Sequence, residues 1–316
     1  MLSLLSYGEV LVDLLPDESE FSRYSPLAGG APANVAVAYA KLGGSSYFSG
    51  GISQDSFGTM LYQELVQNGV NVNYVNDVEQ ANTALVLVNL DENGERTFNF
   101  YRHETADMQY PISQIKNIAW QEIDIFHYCS NTLTNESMYN STLYALESAK
   151  IDKVLISFDV NLRQQLWQDL TLLPSHVEAC IKVSDIIKLS LEEARYLAKF
   201  KQLNVDDYVD YLMSLDVTLI VITDGPNAVR LVSTNYTLFT DVPKINAIDT
   251  TAAGDSFIAG FLYFLSQYAS DNNECLPSII KDEKLISVAS MFAGKCSAYT
   301  CQKKGAFAAL PKITDI

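Results

Sequence analysis

The 316-residue chain has little positive charge and no long hydrophobic run. Its 21 Lys and Arg residues face 38 Asp and Glu residues, which gives a formal net charge of −17 at pH 7. This balance disfavours a nucleic-acid partner, because phosphate backbones are bound by basic surface. The longest apolar run, Phe257 to Leu265, is far shorter than a bilayer crossing requires, so no membrane partner is predicted.

Cysteine and histidine are also scarce. The five cysteines are odd in number and form no C-x-x-C pair, so we expect buried free thiols in a reducing, cytoplasmic setting. The first seven residues have no basic segment before the apolar stretch, which predicts a buried strand and not a signal peptide. The three histidines show no metal-ligand spacing. The cysteines are Cys129, Cys180, Cys275, Cys296 and Cys301, and the histidines are His103, His127 and His176.

Two common nucleotide-binding motifs are missing. The chain contains no G-x-x-x-x-G-K-[ST] motif, which disfavours a P-loop kinase, and no G-x-G-x-x-G motif after a strand, which disfavours NAD binding. With 48% hydrophobic and 19% charged residues, the chain is able to form a sizeable core. A single large α/β domain fits this length and composition.

Short apolar runs alternate with helical patterns along most of the chain. From about residue 110, strand and helix follow each other in order, which predicts βαβ units on a mostly parallel sheet. The Asn-rich stretch 68–76 is predicted as a loop. Strands are predicted near 2–7, 46–50, 84–90, 96–101, 125–129, 154–158, 186–189 and 218–223, and helices near 33–42, 56–68, 138–149, 174–183, 191–199, 205–214, 255–268 and 284–299.

Two stretches depart from this rhythm. Residues 10–25 alternate in polarity without a following helix. Residues 84–101 form two apolar runs around the sequence from Asp91 to Gly94, whose Asn-Gly pair suits a tight hairpin turn. Together they predict a small β-sheet that projects from the main domain.

The most informative segment runs from Asp249 to Phe261, where small residues lead directly into an apolar helix. Free backbone N–H groups at such a helix start form an anion hole for a phosphate group. Asp255 in the first turn is then placed to accept the proton of an attacking hydroxyl as a general base. The alternative from the residues alone is that Asp255 only caps the helix.

Two further segments carry polar groups at places where ligands bind. Gly29 and Gly30 precede the first long helix and allow close approach of the backbone to a small ligand, and Asn34 offers both a donor and an acceptor to hydroxyls. A tight turn with a helix cap is the alternative. Asp159, Asn161 and Arg163 follow an apolar strand, and ligand crevices of open α/β sheets lie at the carboxyl ends of strands.

These segments resemble the two signatures of the ribokinase (PfkB) family of carbohydrate kinases, namely Gly-Gly-Ala-Pro-Ala-Asn-Val-Ala and Asp-Thr-Thr-x-Ala-Gly-Asp-Ser-Phe. Further collinear matches extend the resemblance over essentially the whole chain, with bacterial fructokinases the most similar branch. The resemblance implies a ribokinase-like three-layer α/β/α sandwich with a mostly parallel central sheet. It also implies one kinase domain over residues 1–316, with a small projecting β-sheet lid formed by about 10–28 and 83–105.

The implied reaction is transfer of the γ-phosphate of MgATP to a sugar primary hydroxyl, converting fructose to fructose 6-phosphate, with K⁺ as an activator. Aminoimidazole riboside, ribose and 2-keto-3-deoxygluconate remain alternative acceptors, and a non-catalytic sugar-binding scaffold is the alternative of another class. A homodimer that pairs the lids is expected, because a projecting sheet exposes an edge and an apolar face.

The resemblance also assigns roles to individual residues. Asp255 is the base, with the backbone around Ala252, Ala253 and Gly254 as the anion hole. The sugar is held by Asp13, Gly29, Gly30 and Asn34, with Arg102 reaching over it from the lid and Asp159, Asn161 and Arg163 beneath it. Nucleotide, phosphate and Mg²⁺-water contacts fall to Lys188, Glu193, Thr223, Gly225, Gly254 and Gly294. The monovalent-cation site comprises Asp249, Thr251, Thr300, Lys303 and Gly305.

Two of the positions that depart from the family pattern bear directly on the predicted site. Ala252 stands where the family has glycine, and if this position has a positive φ, alanine costs on the order of 1 kcal/mol. Gly294 stands where the family often has asparagine near the adenine, so one polar contact to the base is expected to be lost.

Overall fold

The computed structural model describes residues 2–17, 23–90 and 96–316, so the turn predicted at Asp91–Gly94 lies outside the described residues. The strands are β1 (Ser3–Tyr7), β2 (Leu11–Pro16), β3 (Tyr24–Gly29), β4 (Ser45–Ser53), β5 (Asn71–Val78), β6 (Leu85–Leu90), β7 (Arg96–Tyr101), β8 (Ile125–Cys129), β9 (Leu155–Asp159), β10 (Ile186–Ser190), β11 (Leu219–Thr223), β12 (Val229–Ser233) and β13 (Tyr236–Thr240).

The helices lie mostly between these strands. They are α1 (Ala31–Lys41), α2 (Ser56–Gln67), α3 (Ile112–Ile115), α4 (Glu136–Ile151), α5 (Leu173–Ile181), α6 (Leu191–Phe200), α7 (Val205–Met213), α8 (Ala253–Asn272), α9 (Leu276–Ile279) and α10 (Glu283–Thr300). Short 3₁₀ segments occupy Ala106–Met108, Trp120–Glu122, Ser130–Leu133, Gln164–Leu166, Phe307–Ala309 and Ile313–Asp315. Within the described residues, none of these helices combines the length and apolar character that a bilayer crossing requires.

The main sheet has nine strands in the order β13-β12-β11-β10-β9-β8-β1-β4-β5. Neighbouring strands from β11 to β5 pair in parallel, whereas β12 and β13 continue the sheet in antiparallel fashion. The predicted α/β class with a mostly parallel central sheet is confirmed. The carboxyl ends of the parallel strands share one edge of the sheet, which is where ligands bind in such folds.

Two hydrophobic cores cover the two faces of this sheet. Along β10, Ile186 packs into the core formed with α1, α8 and α10, while the next residue, Ile187, packs into the core formed with α4, α5, α6 and α7. The same alternation occurs at Leu4 and Leu5 in β1. Because adjacent side chains point to opposite faces of a strand, continuous apolar strands bury both faces and give the predicted three layers.

A second sheet contains four strands in the order β3-β2-β6-β7. Strands β6 and β7 pair in antiparallel fashion, as the hairpin prediction required, and β2 pairs with β6 in parallel. Leu11, Ala84 and Val86 form a small separate core on this sheet, with Phe100 packed against it. The four strands fall within the two segments from which a lid was expected.

The prediction of a loop over 68–76 is wrong for most of its length. Residues Asn71–Val78 form β5, which pairs with β4 at the edge of the main sheet. Polar asparagines disfavour a strand by local propensity, but an edge strand keeps one side in solvent and tolerates them. The hairpin of β12 and β13 was also absent from the prediction.

Candidate active site

A large cavity opens at the carboxyl ends of the parallel strands, between the main sheet and the small sheet. Its volume is about 1070 Å³. Asp159, Ser190 and Thr223, which end β9, β10 and β11, line it together with Leu11 and Asp13 of the small sheet and the start of α8. A cavity of this size has room for two small ligands side by side.

The start of α8 forms one wall of this cavity. The helix begins at Ala253, and its N-cap residue Ala252 has φ 59° and ψ 10°, in the left-handed region. The backbone N–H groups of the first turn have no intrahelical acceptor and attract an anion. A Cβ atom built on Gly254 would lie 3.2 Å from Lys188 Nζ, which places a cation directly at this helix start. Because the φ of Ala252 is positive, the condition under which an alanine at this position introduces strain is met.

Asp255 lies in the first turn of α8 and is 7% exposed. Its Oδ2 atom accepts a hydrogen bond from Asn34 Nδ2 at 2.7 Å, and its Oδ1 atom accepts one from Asn161 Nδ2 at 3.4 Å. The pKa of Asp255 is raised to about 6, because burial and the charge of Asp159 raise it more than Asn34, Lys188 and Arg163 lower it. The carboxylate thus has a basicity closer to neutral pH than an exposed aspartate, as a general base requires.

Lys188 and Asp159 form a buried ion pair on neighbouring strands. Lys188 Nζ lies 2.7 Å from Asp159 Oδ2, and both side chains are almost fully buried. Burial acts to lower the lysine pKa, but Asp159, Glu193 and Asp255 outweigh it, so the net shift is upward and the amine stays charged. The pair holds one positive charge between the start of α8 and the floor of the cavity. Arg163 also lines the cavity and is exposed.

The expected sugar contacts come together on the side of the cavity next to the small sheet. Asp13, Gly30 and Asn34 line it, and a Cβ atom on Gly29 would lie 2.4 Å from Asp13 Oδ2. Gly30 has φ 105°, and a Cβ atom there would lie 2.6 Å from the Glu9 carbonyl oxygen, so glycine is required at position 30, whereas a side chain at position 29 would displace the Asp13 carboxylate.

Several buried acceptors around the cavity lack a hydrogen-bond donor within the described part of the chain. They are Asn34 Oδ1, Asn131 Oδ1 and Asp159 Oδ1, and all three residues line the cavity. Buried acceptors without a donor are costly, so their concentration here indicates a ligand rich in O–H groups.

Arg102 is not among the residues that line this cavity within the described part of the chain, so its reach over the sugar stays a prediction. Arg102 Nε lies 2.5 Å from Asp107 Oδ2, and its side chain is 2% exposed. Its Nη2 atom donates to the Asn131 carbonyl oxygen at 3.4 Å. Arg102 lines a second, smaller cavity of about 690 Å³, and its charge acts on Glu9, which lines the first.

Of the residues expected to contact the nucleotide, some line the cavity and others do not. Thr223 and Glu193 line the cavity. Glu193 Oε1 accepts from the Leu162 amide at 2.6 Å and Oε2 accepts from the Ser190 amide at 2.8 Å, so this carboxylate also caps α6. Gly225, with φ 53°, and Gly294, which packs near Val242 and Pro243, are not among the cavity-lining residues within the described part of the chain.

The residues expected at a monovalent-cation site meet in two adjoining loops. Asp249 Oδ1 accepts from the Thr251 amide at 2.8 Å, and Asp249 Oδ2 accepts from the Gly305 amide at 2.9 Å. Thr300 Oγ1 donates to Ser256 Oγ at 2.8 Å, and the Thr300 carbonyl accepts from the Lys303 amide at 3.1 Å. These contacts join the C-terminal loop to the start of α8.

The sequence analysis missed two residues of the site. Glu9 and Asn131 both line the cavity and are buried, with exposures of 2% and 6%. Each follows shortly after a parallel strand, β1 and β8 respectively. A polar residue at the carboxyl end of a parallel strand was the signal that could have identified them, and the same signal identified Asp159.

A buried carboxylate beside an exposed helix start and a buried lysine defines a class of protein, the small-molecule phosphotransferases with a hydroxyl acceptor. The comparisons with known proteins identify the family. The family model described as pfkB family carbohydrate kinase matches residues 1–313, and the chain belongs to this family.

Fructokinases are found among both its curated relatives and the solved structures that it resembles. The chain is 37% identical over 313 residues to the probable chloroplastic fructokinase-6 of Arabidopsis thaliana, covering 98% of this chain and 79% of the relative. The solved fructokinase of Xylella fastidiosa with bound ATP has a TM-score of 0.93 at 31% identity, covering 99% and 96% of the two chains. A fructokinase double mutant of Vibrio cholerae O395, in a form with fructose, ADP and potassium ion bound, has a TM-score of 0.89 at 31% identity and the same coverage.

Proposed function

We propose that this chain is an ATP-dependent fructokinase that forms fructose 6-phosphate. The observation that carries the proposal is Asp255, a buried carboxylate held by Asn34 and Asn161 beside the start of α8 and the Lys188 amine. The fructokinase relatives, one with ATP and one with fructose and ADP, support the choice of substrates.

Sugar binding is assigned to the side of the cavity next to the small sheet. Asp13 and Asn34 exchange hydrogen bonds with hydroxyls, and the glycines at 29 and 30 let the ring approach the backbone. The donor-free acceptors of Asn34 and Asp159 gain donors from sugar hydroxyls. These contacts direct one primary hydroxyl toward Asp255.

Phosphoryl transfer then depends mostly on positioning. A sugar hydroxyl is far too weak an acid for a carboxylate of pKa about 6 to deprotonate it in the ground state. Asp255 therefore takes the proton late, as the new P–O bond forms. Meanwhile the first-turn amides of α8 and Lys188 stabilise the negative charge on the transferring group, and Arg163 contributes from the rim.

Two ions are included in the proposal. Mg²⁺ would neutralise phosphate charge, with Glu193 acting through a bound water since each of its oxygens already accepts one backbone N–H. A monovalent cation near Asp249 and Gly305 would fix the loop that leads into α8. The contacts of these loops support this placement.

The small sheet is proposed to act as a lid and as a dimer interface. Both β3 and β7 are edge strands of that sheet. Tyr24 and Tyr101 on these edges are 38% and 62% exposed. A second copy pairing lid to lid would cover both, and we expect a cytoplasmic homodimer. Light scattering at micromolar concentration tests this, and a monomer mass would refute it.

The activity is tested by ADP release with Mg²⁺, K⁺ and ATP across a sugar panel. The panel contains fructose, ribose, glucose, 2-keto-3-deoxygluconate and aminoimidazole riboside. We expect turnover on fructose, a loss of at least about 1000-fold in Asp255→Asn, and no change in Asp210→Asn, an exposed aspartate of α7 that serves as the matched control. Turnover on another sugar would refute the choice of fructose, and a fully active Asp255→Asn would refute the role of the base.

A further inference from the structure

The cavity contains a buried carboxylate that the catalytic scheme above does not use. Glu9 follows β1, is 2% exposed and lines the cavity next to Gly30 and Asn131. Its Oε1 atom accepts from Asn131 Nδ2 at 2.8 Å. Beyond Asn131, the described contacts of this carboxylate are its own backbone amide and the Cys129 thiol, which lies 3.8 Å from both oxygens.

The charges of Arg102 and Asp107 act on the Glu9 carboxylate. Arg102 lies between Glu9 and Asp107, pairs directly with Asp107 and attracts the charge of Glu9. Asp107 Oδ1 in turn accepts from Thr105 Oγ1 at 2.6 Å, which fixes the partner of Arg102. Burial raises the pKa of Glu9, and the charge of Arg102 and the Asn131 amide oppose that rise.

The net charge of the cluster formed by Glu9, Arg102 and Asp107 indicates the kind of ligand that it accepts. One guanidinium faces two carboxylates, so the cluster keeps a negative charge when both are ionised. Beside it, Asn131 Oδ1 lacks a donor among the described residues. Acceptors without donors next to a negative charge require a ligand that donates hydrogen bonds and carries no negative charge.

We propose that Glu9 is a sugar-recognition residue, whose carboxylate accepts a hydrogen bond from a non-reacting hydroxyl of the sugar, with Asn131 and Arg102 as its positioning residues. This inference rests on the proposed function. It assigns specificity for a neutral polyol to this side of the cavity and disfavours an acidic sugar, whose carboxylate would meet the charge of Glu9.

The test is a cycle that removes each partner of the hydrogen bond in turn. Wild type and Glu9→Gln are assayed at saturating ATP with fructose and with its 1-, 2-, 3- and 4-deoxy analogues, the 2-deoxy analogue being the 2,5-anhydrohexitol. A hydrogen bond to a charged group is worth roughly 10- to 100-fold, so we expect Glu9→Gln to lower kcat/KM for fructose by that factor, mainly through KM. The KM for ATP is expected to stay within about twofold.

With one deoxy analogue, the two enzymes should differ by less than about threefold, because the partner hydroxyl is already gone. Glu147→Gln, an exposed glutamate in α4, is the matched control and should behave as wild type. If Glu9→Gln lowers kcat/KM for every analogue by the same factor as for fructose, the losses from variant and analogue multiply. That result would overturn the proposal, since it indicates a purely structural role of Glu9.

Measurements on the wild type test the proposal if the variant does not fold, and they separate its failure from a failure of the proposed function. If Glu9→Gln does not fold, the wild type alone must discriminate against one deoxy analogue by at least about tenfold, and its indifference to all four overturns the proposal. A wild type that does not phosphorylate fructose refutes the proposed function itself. An active wild type with multiplicative losses refutes only the role of Glu9.

Discussion

Replacing Asp255, the proposed base, with asparagine should make the protein inactive but more stable, because a buried carboxylate is held ionised at a cost. Its pKa is about 6, against an ordinary value of 3.8. At about 1.36 kcal/mol per pKa unit, this difference corresponds to roughly 3 kcal/mol of unfolding free energy at pH 8. The cost is fully present above pH 6 and disappears below pH 4, where the folded and unfolded states are both protonated.

The predicted gain of Asp255→Asn is therefore roughly 3 kcal/mol at pH 8 and about half of that at pH 5. With an unfolding entropy of about 2.1 cal/mol/K per residue, the gain at pH 8 raises Tm by about 4–5 °C. The change in contact with Asn34 is the same at every pH, so the pH dependence isolates the ionisation. Ligand-free thermal unfolding at both pH values measures it, with Asp210→Asn expected to shift Tm by less than about 1 °C at either. A gain that is equal at pH 5 and pH 8, or a loss at both, would refute the reasoning.

Three other outcomes follow from the same site. The kcat/KM for the sugar should fall about tenfold per pH unit below pH 6, because Asp255 must be ionised to accept a proton; a flat profile down to pH 5 would contradict this. Ala252→Gly should raise Tm by about 1–2 °C by relieving a left-handed alanine, and thermal unfolding that shows a lower Tm would count against it. Lys188→Met should raise the KM for ATP by at least about tenfold more than that for the sugar, since the amine lies at the helix start; steady-state kinetics with an unchanged KM for ATP would dismiss that role.

The sequence by itself determined the class of fold and the residue types of the reaction. Apolar strands alternating with amphipathic helices leave few arrangements other than a covered parallel sheet. The run of small residues before α8, with Asp255 in the first turn, carried the chemistry because a helix start and its first carboxylate are local features.

Local signals were weaker where the sheet meets solvent. The asparagines of β5 suggested a loop, and only pairing with β4 makes this segment a strand. Strands β12 and β13 extend the sheet in the same way. An edge strand takes all of its ladder hydrogen bonds from the one strand beside it, and the segment's own residues do not specify that pairing.

The tertiary structure alone decided the partners of the buried charges. Arg102 is predicted to reach over the sugar from its place on the lid, and the structure shows that it pairs with Asp107 and that Glu9 lines the cavity. A long guanidinium side chain has several carboxylates within reach along the chain, and burial selects the pair whose geometry satisfies both charges. That choice depends on three-dimensional packing between β1, β7 and β8, so it lies beyond what spacing along the sequence determines.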